Sequence, residues 1–493
     1  MRTIETRPEK KVDTKICRIT RFDSLGGDVP DDTLSLGYAK YACNVKLGNG
    51  FVSAARGLQQ ARVNGTLLPT SISIGSGIEK AFFYRKFNTQ THTYEPIVLY
   101  QLRNNEVYKA SVYAGQLERL NVGPVRAVEF TNFHRESGDL VVMLDGNAHI
   151  MTFDGTSGAQ IDFTPALRQA AAYNDKLFAL DADDVYKIRF SAKNDPLEWD
   201  DTTLGAGSIR FTDDGGELKK VVVCGDSLYV FRDYSVYRLT AYTDINSYSL
   251  TRVLSTQGKI YPKTVGVWDN TMYFYTENGF YSVKGNTVRT LWKDEFTLID
   301  DASNAAGYCY GGQYLITARL KTDENGAVGD EASCRVNTGF LAIDIQTPGV
   351  EIRRGTDVIG FTSGDIDGKN YLFFLNATGL RGMHISMWSG DEKLYGNNWE
   401  KRWYSPVLTL GGMRLSKTIR NVHIRVPVAM RVAVLLDGIP YTYDLNGSAV
   451  IQTLPVNKCG NTLQLYVSGT DDGFRMSGFE IEYETTERRG YGL

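Results

Sequence analysis

The residues best suited to chemistry in this sequence are carboxylates in turns. Asp365-Ile-Asp367-Gly368-Lys369-Asn370 opens like a calcium loop, with carboxylates at alternate positions and a glycine at the bend. It lacks the glutamate six residues further on and carries Lys369 where an oxygen is needed, so a plain hairpin turn is the expectation. Asp181, Asp183 and Asp184 form a second acidic cluster, expected to be a solvated turn. Glu136 with Asp139, and Asp471 with Asp472, are the residue type that flanks a glycosidic bond, but spacing within one loop sets no distance across a cleft. The five histidines, at 92, 134, 149, 384 and 423, stand apart from Cys or carboxylate partners at ligand spacing. No nucleophile elbow, HExxH, P-loop or Rossmann glycine pattern occurs. Neither an enzyme nor a metal or cofactor site is expected.

Six cysteines, at 17, 43, 224, 309, 334 and 459, are widely spaced and make no CxxC. Cys224 and Cys309 lie in apolar runs and read as small buried hydrophobes. A different chemistry, recognition, is suggested by Trp388, Trp399, Trp403 and Tyr404, which surround a change in sequence character. As exposed aromatics they are candidate interface anchors, the alternative being packing of one domain on another. Arg488 and Arg489 are candidate contacts to a partner or to DNA, although a frayed basic tail is the simpler expectation.

The elements that must position these residues are strands. Among 493 residues, 29 Tyr, 22 Phe and 49 Gly stand against 13 Pro, and that balance suits pleated surfaces joined by tight turns. Helical periodicity is scarce. The formal net charge is -3, from 54 basic and 57 acidic residues, which disfavours gripping nucleic acid by phosphate neutralisation. The charged N-terminus is followed by no apolar stretch suited to a signal peptide or membrane span, so synthesis and retention in a cytosol is the expectation.

Four segments repeat: AAAYNDKLFAL from Ala170, VVVCGDSLYVF from Val221, VGVWDNTMYFY from Val265 and AGYCYGGQYLI from Ala306. Each reads as a strand, a polar turn (Asn174-Asp175, Gly225-Asp226, Asp269-Asn270, Gly311-Gly312) and an aromatic strand, the chemistry of a hairpin. A further strand follows each, and looser copies lie upstream from Leu102 and downstream to Trp388, giving about seven units. Repeats of this length are the signature of propeller blades, whose apolar faces only neighbouring blades can cover. The fold class expected is all-β, with an extended docking arm at 1–60, a β-propeller at 61–395, a jelly-roll-like β-sandwich at 396–486 and a flexible tail at 487–493. A long sandwich array is the competing architecture.

Several motifs carry a family likeness. Gly26-Gly27, Gly37-Tyr38-Ala39, Asn44-Val45, Gly50 and Arg56-Gly57 precede the propeller; SAKNDPLEWDD at Ser191 follows within it, as do Gly258 and the closing FRMSGFEIEYE at Phe474. Together these resemble the tail nozzle, or lower tail tube, proteins of short-tailed bacteriophages, over most of residues 17 to 485. The resemblance implies a homohexameric ring in the virion, assembled in the host cytoplasm. It implies partners on both sides, an adaptor or portal-side protein above and a needle, fibre or tip protein below, and genomic DNA crossing the lumen without specific binding. The alternative from another class is a receptor- or glycan-binding propeller with a sugar-recognising sandwich.

Overall fold

The computed structural model describes residues 14–486 apart from 26–35, 49, 64–65, 69–76, 89–91, 114–116, 124–127, 136–137, 163–164, 201–204, 241–247, 294, 323–325, 348, 378–384 and 413. Among the described residues there is no α-helix, only short 3-10 turns such as Pro262–Thr264, and no helix is long and apolar enough to cross a membrane. The chain divides into two compact units: Gly57–Thr347 with Arg353–Ser389, and Met1–Arg56 with Pro348–Ile352 and Gly390–Leu493.

The first unit is a β-propeller. Seven four-stranded sheets follow one another among the described residues, at 78–119, 129–162, 167–210, 218–255, 266–291, 299–354 and 358–388, the last completed by Leu58–Gln60. Numbered in that order, blades 1 to 6 each run straight through four sequential antiparallel strands. The repeated segments are the first and second strands of blades 3 to 6, and their turns adopt the left-handed backbone that Asn, Asp and Gly tolerate best. Asn174 and Asp175 have φ of 49° and 60°, Asp269 and Asn270 46° and 54°. In blade 6 the turn is Gly311-Gly312, with φ of 57° and 80°, and Tyr310 stands opposite Gln313 across it.

Burial follows position in the blade. The second strands Leu140–Leu144, Lys176–Asp181 and Ser227–Arg232 are buried at every residue, whereas the fourth strand Ser249–Ser255 is mostly exposed. A strand covered on both faces has no solvent side, so it reads as a continuous apolar run instead of alternating. The cores lie between blades. One cluster joins Leu140, Val142 and Ile150 of blade 2 to Leu167 and Leu177 of blade 3, and another joins Leu180 and Ile188 of blade 3 to Val221 and Val230 of blade 4. Val98 and Tyr100 of blade 1 meet Phe373 and Leu375 of blade 7, and the first strands of these two blades touch. The ring is therefore closed, as the array alternative would not be.

The second unit is a β-sandwich built from both ends of the chain. One sheet orders Lys15–Ile19, Phe479–Thr486, Ser416–Ile424 and Gln452–Gly460; the other orders Tyr41–Cys43, Lys401–Tyr404, Leu463–Gly469, Met430–Leu436 and Ile439–Leu445. The segment expected as an arm up to residue 60 is thus not a separate region. Cys17 stands opposite Ile481 and Ala42 opposite Trp403, so the arm supplies strands to both sheets, while Leu58–Gln60 belongs to blade 7. Strand pairing gives the backbone of Lys15–Ile19 and Tyr41–Cys43 ladder partners, which a loose arm laid on a surface would lack.

Candidate functional site

The sequence-derived aromatics are not one exposed patch. Trp399, Trp403 and Tyr404 are 2%, 1% and 5% exposed, which corrects the expectation of surface anchors. Trp403 stacks on Phe479 at 5.6 Å between ring centroids and takes the edge of Phe22 at 5.5 Å, filling the sandwich interior. Tyr404 packs on Tyr466 at 4.5 Å, and the Trp399 indole N–H donates to the Glu392 carbonyl at 2.8 Å. Buried rings of this kind stabilise their own unit and offer nothing to a second chain. Trp388 is half-buried in blade 7, with Phe374 at 4.8 Å and the Arg353 guanidinium 5.7 Å above its ring. Gly26, Gly27, Glu136, His384, Arg488 and Arg489 lie outside the described residues.

The acidic motifs are consumed by the protein. Asp367 and Gly368 form a hairpin turn with φ of 54° and 72°; Asp365 pairs with Arg85 at 3.1 Å, and Asp367 accepts the Tyr113 hydroxyl. Asp181 is buried, not solvated, correcting the expectation for its cluster. Its carboxylate pairs with Arg189 at 2.7 Å and Lys187 at 3.0 Å and accepts the backbone N–H groups of Asp183 and Asp184 at 3.0 Å each. Burial alone would raise its pKa, but Arg189, Lys187 and the Asp184 N–H together hold it below the ordinary carboxylate value. Asp139 pairs with His134 at 2.5 Å, and Asp472 with Lys393 at 3.0 Å.

A cleft that the sequence did not single out lies on blade 5 and reaches Ile345, just past the third strand of blade 6. It encloses about 500 Å³ and is lined by Asp269, Tyr273, Lys284, Arg289 and Trp292 among others. Blade 5 places these side chains through its own ladder: Thr271–Thr276 carries Tyr273, Gly279–Lys284 carries Lys284, and Thr287–Leu291 carries Arg289. Trp292 follows directly, at a φ of 45°, a left-handed conformation uncommon for a bulky side chain. Surrounding structure must hold such a residue in place. Here that is an aromatic cluster: Tyr314 stacks at 5.6 Å, Tyr273 at 5.9 Å, and Phe280 meets the indole edge-on at 5.5 Å. Tyr273 and Tyr314 are only 6.1 Å apart, so both approach the same side of the indole. Burial raises the pKa of each phenol, keeping both neutral hydrogen-bond donors. The Tyr314 hydroxyl is already committed to the Thr264 carbonyl at 2.7 Å. Lys284 and Asp269 stand 4.0 Å apart and are largely exposed, so this pair adds little stability and both groups are accessible. An aromatic wall beside accessible cationic, acidic and hydroxyl groups can recognise a polar ring; one carboxylate among the described lining residues does not make an acid-base pair.

No family model matches the sequence, and no curated protein matches it. Among solved structures the chain is similar to BBS1N in complex with ARL6DN, with a TM-score of 0.43 at 9% identity over 69% of this chain and 100% of that one. It is also similar to BamB from Moraxella catarrhalis, with a TM-score of 0.39 at 11% identity over 76% of this chain and 96% of that one. The propeller architecture itself rests on the seven sheets and their closure.

Signals for the cleft were present but not distinctive. LWKDE at Leu291 puts a Trp just past an alternating strand, as many core tryptophans are placed. What distinguishes Trp292 is its backbone conformation and its three ring neighbours, and these come from residues distant in sequence.

Proposed function

We propose that this protein is a structural component of a virus particle, the ring-forming nozzle or lower tail tube of a short-tailed bacteriophage. The observation that carries this reading is that the motif residues behind the family likeness do structural work. Trp199 is buried in the core between blades 2 and 3, its indole N–H donating to the Pro196 carbonyl at 2.9 Å. Asn194 takes φ of 59° at its turn. Asn44 is buried at φ of 58°, and its side-chain amide donates to the Glu400 carbonyl at 2.7 Å, tying the N-terminal segment into the sandwich unit. Motifs that fix turns and inter-blade cores suit a protein whose role is to hold shape. In this role the chain forms a closed ring of six, contacts an adaptor or portal-side protein and a distal needle, fibre or tip protein, and lets DNA pass without specific binding. Negative-stain imaging of the purified protein, alone and with particle lysate, tests it: rings support the role, and monomers in both samples count against it. Tight binding in a gel shift at physiological salt would contradict passage without retention.

A second reading, glycan or receptor binding, is favoured by the blade 5 cleft, where Trp292 and Tyr273 provide aromatic surface beside Asp269, Lys284 and Arg289. It moves the recognition surface from the sandwich, where Trp403 is buried, to the propeller. A glycan array probed with the full chain and with Trp292→Ala discriminates: a signal lost in the variant supports it, and no signal from either rejects it.

A further inference from the structure

The blade 5 cleft is built on one face of a sheet, and the register of that sheet arranges its polar groups. Tyr273 stands opposite Ser282 and Ser282 opposite Arg289, so these three side chains cross adjacent strands on the same face. Lys284 and Thr287 form the pair two residues along, on that face again because side chains alternate with period two. Arg289 and Lys284 are therefore diagonal neighbours, separated by roughly 7 Å. Ser282 and Thr287 occupy the other diagonal, which gives a square of two cations and two hydroxyls. Trp292 stands beside this square through its stack on Tyr273 at 5.9 Å.

The charges of the lining do not balance. Asp269, the one carboxylate among the described lining residues, stands 4.0 Å from Lys284 and offsets it. Arg289 is exposed and makes no hydrogen bond or ion pair among the described residues, so its guanidinium is the surplus cation. One net positive charge suits a monoanion better than a dianion, and a planar guanidinium matches a carboxylate through two parallel N–H donors. The indole beside it is half-buried and held against Tyr273 and Tyr314, so it offers the cleft a rigid apolar surface that loses no freedom on binding. Aromatic surface with a few convergent polar groups fits a ring that has an apolar C–H face and a polar rim. A neutral sugar of that shape would use the indole and the hydroxyls and leave Arg289 idle.

We propose that this cleft selects hexuronic acid units of a glycan, the pyranose ring lying on Trp292 and the carboxylate held by Arg289. The inference rests on the glycan-binding reading of the same cleft and adds a charge selectivity to it. Saturation-transfer NMR titration of the full-length protein uses the methyl glycosides of glucuronic and galacturonic acid beside those of glucose and galactose, pairs that differ only in a carboxylate against a hydroxymethyl group. The expected result is that at least one acid binds about tenfold more tightly than its neutral partner, the gain of a charge-assisted contact. Arg289→Gln should erase that preference and leave neutral binding unchanged, Arg289→Lys should restore part of it, and Trp292→Ala should weaken acid and neutral sugars alike. Arg289 is exposed on its strand, so its variants keep the test decisive even if Trp292→Ala fails to fold. Equal affinity for acid and neutral sugars, or an acid preference that survives in Arg289→Gln, overturns the selectivity and leaves the glycan reading standing. Absence of signal from all four glycosides removes both.

Discussion

Leu58 stands directly opposite Trp388 in the last ladder of blade 7, so the chain segment preceding the propeller provides the strand that completes its final sheet. Gln59 and Gln60 continue the pairing against Met387 and Ser386. Leu58 is 1% exposed, and Leu58→Ala should cost about 2–5 kcal/mol, measured as a shift in the urea midpoint. Leu58→Asp should go further and release the strand, making the region near Gly57 sensitive to limited proteolysis. Equal stability and equal cleavage in all three proteins would mean that the closing strand contributes nothing.

The polar loop between the second and third strands of blade 6 is anchored from within. Glu331 and Arg354 form an ion pair whose side chains are 4% and 2% exposed, and Arg354 also donates to the Lys321 carbonyl at 2.6 Å. Removing one partner leaves a buried charge, so Glu331→Ala should destabilise the protein by about 3–5 kcal/mol in chemical denaturation. Replacing both, as Glu331→Leu with Arg354→Leu, should recover part of that loss. A double variant no more stable than the single one would show that neighbouring groups, not the charge left behind, set the cost.

Acid stability should depend on Asp181. Its folded pKa is lowered, so its contribution is complete above the unfolded value near 4 and is lost as pH falls through the folded value beneath it. Asp181→Asn leaves Arg189 and Lys187 without their carboxylate, and should therefore be less stable than the parent at neutral pH. Its denaturation midpoint should also fall less steeply below pH 4. Parallel acid limbs for the two proteins would assign that pH dependence to other groups.

Thiol reactivity should sort the cysteines by environment. Cys459 is exposed, with the Thr418 hydroxyl 3.1 Å from its sulfur. Cys224 and Cys309 are buried; burial raises Cys224 to about 11 and Cys309 further. Since the thiolate is the reactive form, native protein treated with a thiol-specific chromophore should show a fast phase that disappears in Cys459→Ser. Cys43, Cys224 and Cys309 should react only on unfolding. Rapid labelling of Cys224 in native protein, read by peptide mapping, would overturn the blade 4 packing described here.

The hairpins of blades 3 to 5 were legible because their information is local. Asn174-Asp175 and Asp269-Asn270 carry the side chains that tolerate left-handed backbone, and the apolar strands on either side admit no other use. The count of blades and the change of character after Glu392 were legible for the same reason: repetition and turn chemistry are written along the chain. The roles of the tryptophans were not. Trp403 and Trp292 look alike in sequence, yet one is sealed between Phe479 and Phe22 and the other lines a cleft at a strained backbone position. Likewise, the Asp181 cluster has the composition of a solvated loop and becomes a clamp because Arg189 and Lys187 return to it on the next strand.

Sequence by itself therefore determined the all-β class, the repeating unit and where its turns fall, since these depend on φ preferences and period-two patterning within a few residues. Only the tertiary structure decided which strand closes the ring and which aromatics are core. Those outcomes depend on distant segments meeting in space, and no local preference of Leu58 or Trp292 specifies its neighbour.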